Sequence, residues 1–400
     1  MKIPGWLLAL GATMMVQTIS SFMGQCLPVV APLLTASTGV APERIGNLSS
    51  LTSLGSVLFL AFGSPYLARF GPVRSMQLGA LCAVLAMGVA ALGYWPALML
   101  AAVMLGIGYG PTPPAGSRIL AATAPKQHRS LIFSIKQAGA PAGGALAGLI
   151  IAPFAVAHGW NSALLLAVAA GLLSAAAIAP LRALMDVERD PARSIHPRDV
   201  FSLANVLGPV AVLRASPTLM SLTTLALSFS FAQGTLYSFS VTYLTQRGLS
   251  LTDAGFAYAC LQTAGVLARV FLGWLADRTG RPAANLTAQA YVASGCLLLY
   301  AFMPLDLPFP LVALIATACG FFCASWNGIY LAEVARLAPP DRISDATSSS
   351  TLFTFLGYVA GPSLFALAVP LWGWSWPYVA VAAQLLLMAA IQTVLLARRN

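Results

Sequence analysis

Long apolar runs fill most of the chain, separated by short polar or Pro- and Gly-containing breaks. A bilayer core about 30 Å thick needs about 20 apolar residues in a helix, and each run reaches that length. The pattern therefore predicts an all-α membrane protein with twelve transmembrane helices. The predicted spans are 6–33, 46–69, 74–95, 96–123, 130–155, 160–182, 217–245, 252–276, 282–303, 308–335, 344–369 and 374–397.

One longer hydrophilic stretch lies between the sixth and seventh runs. It predicts an N-terminal six-helix bundle at 1–182, a cytoplasmic linker at 183–214 and a C-terminal six-helix bundle at 215–400. Apolar positions such as Phe201 and Val206 are typical of an amphipathic helix lying on the inner membrane surface. A solvated linker is the alternative interpretation.

The composition agrees with a chain whose solvent is mostly lipid. Charged residues make up only 8% and hydrophobic residues 58%, with a mean hydropathy of +0.82, whereas soluble domains carry roughly 25% charged residues. No phosphate-binding loop, redox motif or nucleophile constellation is present, so we expect neither an enzyme nor a cofactor. Cys319 and Cys323 have no histidine near them in sequence, and we expect no metal site.

The formal net charge of +10 would suggest a nucleic-acid partner in a soluble protein. With the N-terminus in the cytoplasm, however, the loop bases lie almost entirely on the inner side, and only Arg44 and Arg247 lie outside. This is the bias of the positive-inside rule. We therefore expect a multi-pass protein of the plasma membrane, most simply a bacterial inner membrane, with both termini cytoplasmic, lipid around it and no nucleic acid.

The two halves of the chain repeat three short patterns in the same order. Such duplication is typical of secondary transporters. The paired segments are 63–74 with 273–281, 124–129 with 338–342, and 139–143 with 357–362.

The loop between spans eight and nine carries the most specific pattern, Gly-x-x-x-Asp-Arg-x-Gly-Arg, formed by Gly273, Asp277, Arg278, Gly280 and Arg281. With twelve spans and a mid-chain linker, it resembles the major facilitator superfamily (MFS), over essentially the whole chain. The resemblance implies two pseudo-symmetric six-helix bundles, alternating access and a monomeric carrier. It also implies that these five residues act in gating, since the carboxylate pairs with bases across the bundle interface in that family.

The first-half copy of this loop departs from the family pattern. Arg69 and Gly71 are retained, but Ala68 stands where the family has its acid. We expect Arg69 and Gly71 to take part in gating, with the second-half loop contributing more. The alternative is that all these charges only set topology.

Three basic residues lie inside predicted spans, and no acid lies at comparable depth: Arg118, Lys136 and Arg269 are the bases. Ionisable groups in a bilayer are expensive and usually face a cavity with a partner or a ligand. Glu333 and Asp277 are the nearest acids. If these acids do not reach the bases, a positive pathway selects an anion.

Arg269 lies one turn before Gly273, and this position resembles that of the arginine in monocarboxylate and anion carriers of the superfamily. The resemblance implies that Arg269 binds a substrate carboxylate; helix packing is the alternative. Lys136 and Gln137 are candidates for substrate binding, with snorkelling to the interface as the alternative for the lysine. Arg118 is a further candidate for substrate binding, but it is nearest the membrane edge, where snorkelling is the favoured alternative.

In the same family, spans one, four, seven and ten line the pathway. Uncharged hydrogen-bond donors with an aromatic wall would suit a small organic anion. The alternative for each of these side chains is a hydrogen bond between two helices, without any contact to substrate. Consecutive glycines and prolines between Gly108 and Gly116 predict a kink in span four. The candidate substrate-binding residues are Gln25, Gln233, Trp326 and Asn327, and other polar residues of these spans include Gln17, Thr112 and Tyr237.

The sequence therefore predicts a secondary transporter of a small organic anion, a carboxylate, with proton symport as an open possibility. The usual membrane-embedded carboxylate of proton-coupled carriers is absent. The alternative is a proton-coupled exporter of drugs or amphipathic metabolites, which should have a larger, more aromatic and often acidic cavity.

Overall fold

The computed structural model describes residues 4–125, 129–187, 189–196, 213–214, 216–339 and 342–398. Within these ranges the chain is helical and contains no β-strand, so the predicted all-α class is confirmed. The amphipathic helix predicted around Phe201 and Val206 lies outside the described residues.

In the first half, several predicted spans consist of two or three consecutive helices. The second span is α2 with α3, the fourth is α5 with α6, and the fifth runs through α7, α8 and α9 with a π-helical turn at Ala147–Ile151. The described helices are α1 Gly5–Thr38, α2 Ile45–Phe62, α3 Ser64–Phe70, α4 Pro72–Ala90, α5 Trp95–Tyr109, α6 Thr112–Thr123, α7 Arg129–Gln137, α8 Gly139–Leu146, α9 Ala152–His158, α10 Trp160–Ala177 and α11 Arg182–Met185.

In the second half the helices are longer, and two of them begin at serine caps. The Ser216 hydroxyl accepts a hydrogen bond from the Leu219 amide at 3.3 Å, and Ser250 accepts one from the Asp253 amide at 3.1 Å. The described helices are α12 Pro217–Gln246, α13 Leu251–Thr279, α14 Pro282–Ala301, α15 Phe309–Cys323, α16 Asn327–Leu337, α17 Ile343–Trp372 and α18 Ser375–Ala397.

By length and composition, eleven helical stretches among the described residues can cross a membrane. The predicted span 282–303 forms α14, which is not one of the eleven because polar residues such as Asn285, Thr287 and Gln289 lower its hydropathy. The Gln289 amide is buried and donates to the Phe322 carbonyl and to the Ser325 hydroxyl. The side-chain nitrogen of this polar residue is therefore satisfied by a neighbouring helix and by the segment that follows it.

The same helix pairs recur in both halves, as the repeated sequence patterns predict. In the first half α1 packs on α8 and α4 packs on α10; in the second half α12 packs on α17 and α14 packs on α18. Spans one and five thus correspond to seven and eleven, and spans three and six correspond to nine and twelve.

Small residues allow the closest of these approaches. A Cβ atom at Gly143 of α8 would lie 2.7 Å from the Phe22 amide nitrogen of α1. In the second half, a Cβ atom at Gly361 of α17 would lie 2.6 Å from the Phe231 carbonyl oxygen of α12. Glycine is therefore required for these backbones to touch, as at small-residue interfaces of membrane helices.

Two spans are interrupted in the middle. Span four breaks between α5 and α6, where Pro111, Pro113 and Pro114 provide no amide hydrogen for the preceding turn. Span ten breaks between α15 and α16, at residues 324–326, without a proline. The first break follows from the sequence, whereas no comparable signal marks the second.

The chain forms two compact units, one of residues 1–40 with 51–202 and one of residues 41–50 with 203–400. The border at 202/203 falls inside the predicted linker 183–214. The first unit holds the helices from α3 to α11 with α1, and the second holds those from α12 to α18.

Candidate functional site

Lys136 is the centre of a polar cluster in the first unit. It lies on α7 and is only 1% exposed, so its side chain does not reach the membrane surface. The ammonium nitrogen donates to the Pro113 carbonyl at 3.3 Å and to the Gln137 side-chain oxygen at 3.4 Å. The Gln17 amide on α1 donates to the same Gln137 oxygen at 3.3 Å. The cluster therefore joins α1, α6 and α7.

The sequence of α6 makes room for this lysine. A Cβ atom at Gly116 would lie 2.8 Å from Lys136 Cε and 3.3 Å from Nζ. The lysine side chain therefore passes over the bare backbone of α6, one turn after the proline-rich break. A larger residue at 116 would displace the ammonium group.

Two further polar atoms of this region are buried without a hydrogen-bond partner among the described residues. They are the Gln17 side-chain oxygen and the Thr112 hydroxyl. Thr112 directly precedes Pro113, whose carbonyl binds Lys136. Buried polar groups are normally satisfied, so these two atoms are candidates to contact a polar ligand.

Two other predicted substrate-binding residues of the first unit are partly accessible. Gln25 is half-buried on α1, about two helical turns after Gln17. Arg118 is half-buried on α6.

A second polar cluster forms around Gln233 in the other unit. The Gln233 side-chain oxygen accepts from the Trp326 indole at 2.9 Å and from the Tyr358 hydroxyl at 2.8 Å. Trp326 is 1% exposed and stacks on Phe229, with 6.0 Å between ring centroids. Spans seven, ten and eleven thus meet at one amide, and Trp326 and Gln233, which were predicted separately, are in direct contact.

Arg269 forms hydrogen bonds to the break in span ten. It is half-buried on α13, and its Nε and Nη2 atoms donate to the Ala324 carbonyl at 3.4 and 3.3 Å. The buried Tyr237 hydroxyl, one helical turn after Gln233, lies within the electrostatic influence of the Arg269 guanidinium. Asn327 is half-buried at the start of α16, close in sequence to the same break.

The acids considered as neutralising partners are engaged or exposed. Glu333 is buried and accepts two hydrogen bonds from the Arg336 guanidinium, at 2.7 and 2.6 Å. Asp277 is exposed at the end of α13. Among the described residues, no carboxylate lies within ion-pair distance of Lys136.

The predicted gating residues of the second half lie at the end of α13. Gly280 has a φ of 63°, in the left-handed region, and its amide ends the helix by donating to the Ala276 carbonyl. The exposed Arg278 guanidinium lies 5.4 Å from the centre of the Trp274 ring. Arg281 lines a cleft of about 410 Å³ together with Glu333 and Arg336. Gly273 is half-buried one turn before Asp277.

In the first half, an acid from another part of the chain occupies the corresponding loop. The Asp186 carboxylate, only 5% exposed, accepts from the amides of Val73 at 2.7 Å and Arg74 at 3.2 Å. These amides open α4, so the carboxylate caps that helix and interacts with its dipole. Burial raises the pKa of the Asp186 carboxyl, while the two amide donors and Arg74 oppose that shift.

Further bonds hold the segment after α11 to this loop. The Asp190 amide donates to the Ala68 carbonyl at 2.9 Å, and the Arg69 guanidinium donates to the Arg193 carbonyl at 2.9 Å. The Arg182 guanidinium also bonds the Gln77 side chain. Gly71, with φ 85° and ψ 164°, lies against the Asp186 carboxylate, so that a Cβ atom at position 71 would collide with it. Sequence reasoning missed Asp186; the missing acid at Ala68 was the available signal, but nothing pointed to its replacement.

We expect Asp186→Ala to destabilise the protein by about 1–3 kcal/mol, because two buried amides would lose their acceptor. Thermal unfolding of the purified protein in detergent measures this change. Asp306→Ala, at an exposed loop carboxylate, is the matched control and should leave the melting temperature unchanged. Equal melting temperatures for Asp186→Ala and wild type would contradict the capping role.

The paired six-span halves and the buried polar clusters at interrupted helices define a multi-pass membrane transport protein. The chain belongs to the Major Facilitator Superfamily, whose family model matches residues 13–357. The predicted family, its twelve-helix fold in two six-helix halves, and a transporter rather than an enzyme are thereby confirmed.

Relatives of known substrate share about a quarter of their residues with the chain. The chain is 26% identical to the gallate transporter of Pseudomonas putida over 323 residues, covering 73% of this chain and 70% of that one. It is 28% identical to the 4-hydroxybenzoate transporter of Pseudomonas aeruginosa over 282 residues, covering 62% and 61%. With the hexuronate transporter of Bacillus subtilis it shares 24% over 148 residues, 37% of this chain and only 35% of that protein's length.

Solved structures support the same fold. A bacterial homologue of the human lysosomal transporter Spinster matches with a TM-score of 0.79 at 16% identity, over 98% of this chain and 97% of that one. The peptide transporter POT in complex with sulfate matches with a TM-score of 0.75 at 17% identity, over 99% and 95%.

Proposed function

We propose that this chain is a secondary transporter that moves a small organic anion, a hydroxylated carboxylate, across a bacterial inner membrane by alternating access. The observation that carries the proposal is a set of three bases inside the spans, Arg118, Lys136 and Arg269, with no acid at comparable depth. In a low-dielectric setting such bases attract an anion and form charge-assisted hydrogen bonds to it.

The polar groups near these bases suit hydroxyl groups on the anion. Gln233 and Tyr237 lie on α12 near Arg269, and Gln17 and Thr112 present unsatisfied atoms near Lys136. Gallate, 4-hydroxybenzoate and hexuronate, which name the substrates of the relatives, all combine a carboxylate with hydroxyl groups. This common chemistry supports a hydroxylated carboxylate over a lipophilic cation.

We also propose that the C-terminal end of α13 and the loop after it gate the cytoplasmic side, through Gly273, Asp277, Arg278, Gly280 and Arg281. The exposed charges at a glycine-terminated helix end are able to form and release ion pairs at little desolvation cost. The bias of loop bases supports cytoplasmic N- and C-termini. We expect the carrier to act as a monomer.

Uptake into proteoliposomes tests the proposed function. We expect labelled 4-hydroxybenzoate, gallate or a hexuronate to accumulate in vesicles that contain the protein, at a rate several times that of empty vesicles. Excess unlabelled carboxylate should compete, whereas 4-hydroxybenzamide, which has the same ring and hydroxyl but no charge, should not. Efflux of lipophilic cations or drugs without uptake of any carboxylate would favour the drug exporter instead.

A further inference from the structure

We infer that the Lys136 amine is the site that takes up and releases the coupling proton, so that one proton and one substrate carboxylate cross the membrane together. This inference rests on the proposed function and adds its coupling group. Proton-coupled carriers usually rely on a carboxylate inside the membrane. In this chain the buried acid of span ten, Glu333, is already paired with Arg336, so another titratable group has to carry the proton.

The first support is the burial of Lys136 among neutral acceptors. The side chain is 1% exposed, and its hydrogen-bond acceptors are the Pro113 carbonyl and the Gln137 side-chain oxygen. An ammonium group has three N–H donors, and the described residues provide neither a third hydrogen-bond acceptor nor a carboxylate within ion-pair distance. An uncompensated buried cation is costly, and the group is therefore able to lose its proton when the site is empty.

The second support is the charge of the surrounding helices. Helices α1, α6 and α8 pack against α7. Their titratable groups among the described residues are Cys26 on α1 and Arg118 on α6, and α7 itself begins with Arg129. None of these is an acid. The described helices around α7 therefore offer no negative charge to an ammonium group, and an incoming carboxylate is the group that would stabilise it.

The third support is a pair of unsatisfied polar atoms on residues next to the lysine's hydrogen-bond partners, since Gln17 bonds Gln137 and Thr112 precedes Pro113. The Thr112 hydroxyl and the Gln17 side-chain oxygen are buried without partners among the described residues. A hydroxylated carboxylate would bring a charge for Lys136 and a hydroxyl donor for Gln17. The lysine therefore lies in a place that is incomplete without a polar ligand.

The proposed cycle conserves charge and protons. On one side of the membrane, the amine lone pair takes a proton from water, and the ammonium group pairs with the carboxylate. On the other side the carboxylate leaves, the N–H bond breaks, the electron pair returns to nitrogen and the proton goes to water. No oxidation or reduction occurs. Because binding is reciprocal, the proton raises anion affinity by the same factor as the anion raises proton affinity.

Replacement by arginine separates proton release from anion binding. The guanidinium group keeps the positive charge but does not deprotonate near neutral pH. With labelled 4-hydroxybenzoate as the first probe and the best carboxylate of the uptake panel as the second, wild type should accumulate substrate several-fold under an inward proton gradient. Lys136→Arg should retain measurable counterflow exchange at a reduced rate, but its accumulation ratio should fall to about one.

Arg247→Lys is the matched control. Arg247 also donates to a backbone carbonyl, that of Met303, but lies at the outer end of α12. This variant should keep the wild-type response to the proton gradient. Gradient-driven accumulation by Lys136→Arg equal to that of wild type would overturn the inference.

The Lys136→Arg variant fails to fold if the larger guanidinium group does not fit against Gly116. A direct measurement of proton uptake on substrate binding tests the inference in that case. In weakly buffered detergent solution at pH 8, wild type should take up close to one proton for each substrate bound, as read by a pH-sensitive dye, and Lys136→Gln should take up none. Carboxylate transport by wild type without proton uptake would refute the role of Lys136 and leave the proposed function standing. Absence of any carboxylate transport by wild type would refute both.

Discussion

Arg269→Ala is expected to lower the carboxylate uptake rate by at least about 30-fold. The substrate carboxylate would lose the guanidinium with which we propose it pairs. Losing one partner of such a desolvated, hydrogen-bonded charge pair costs about 2–5 kcal/mol, and each 1.4 kcal/mol is a factor of ten in affinity or rate. The guanidinium donates to the Ala324 carbonyl in the span-ten break and acts electrostatically on the buried Tyr237 hydroxyl, one helical turn after Gln233. Initial uptake rates, normalised to the folded protein in the vesicles, measure the effect.

The control has to distinguish a role of Arg269 in substrate binding from its hydrogen bonds to the break in span ten. Arg247→Ala removes a second arginine that donates to a backbone carbonyl, at Met303, and should lower stability while leaving the substrate dissociation constant unchanged. Arg269→Lys keeps the charge and should recover part of the uptake. Full uptake by Arg269→Ala would exclude Arg269 from the substrate site.

Gly71→Ala is expected to lower the melting temperature by about 2–6 °C, through a loss of about 2–5 kcal/mol. The residue has φ 85° and ψ 164°, a conformation essentially restricted to glycine. An added Cβ would also lie 2.6 Å from Asp186 Oδ1, so the carboxylate would have to leave the amides of Val73 and Arg74. Thermal unfolding in detergent measures the loss.

Two further variants distinguish these causes. Gly88→Ala, at an exposed glycine of α4 with open space around its Cβ position, should be neutral or slightly stabilising. The double variant Gly71→Ala with Asp186→Ala should be less destabilised than the sum of the two single changes, because the collision disappears with the carboxylate. Strict additivity would show that the alanine at 71 acts only through backbone strain.

Local features of the candidate site were readable from the sequence. The proline-rich break in span four follows from Pro111, Pro113 and Pro114, since proline has no amide hydrogen. The unusual position of Lys136 and Arg269 follows from the cost of charge in lipid. The repeat of segment 139–143 in segment 357–362 was also readable, and the structure places Gly143 and Gly361 of these segments against a neighbouring backbone.

Other contacts depend on residues far apart along the chain. Asp186 caps α4 through a bond to Val73, 113 positions away, and Gln233 joins Tyr358 across 125 positions. No periodicity or motif encodes these pairs, because they exist only after the helices have packed. The same holds for the break in span ten, where no proline lies at residues 324–326 and the Ala324 carbonyl is bound by Arg269 from another helix.

The sequence by itself determined the twelve-span class, the duplicated halves, the family and the presence of bases without acids in the spans. These properties follow from one-dimensional facts: the length of apolar runs, the repetition of short patterns and the high energy of charge in a bilayer. Only the tertiary structure decided that Lys136 is buried among neutral acceptors, that Gln233 gathers Trp326 and Tyr358, and that Asp186 supplies a carboxylate to the loop that lacks one. Hydrogen bonds require atoms within about 3 Å of each other, and helix packing alone brings such distant residues that close.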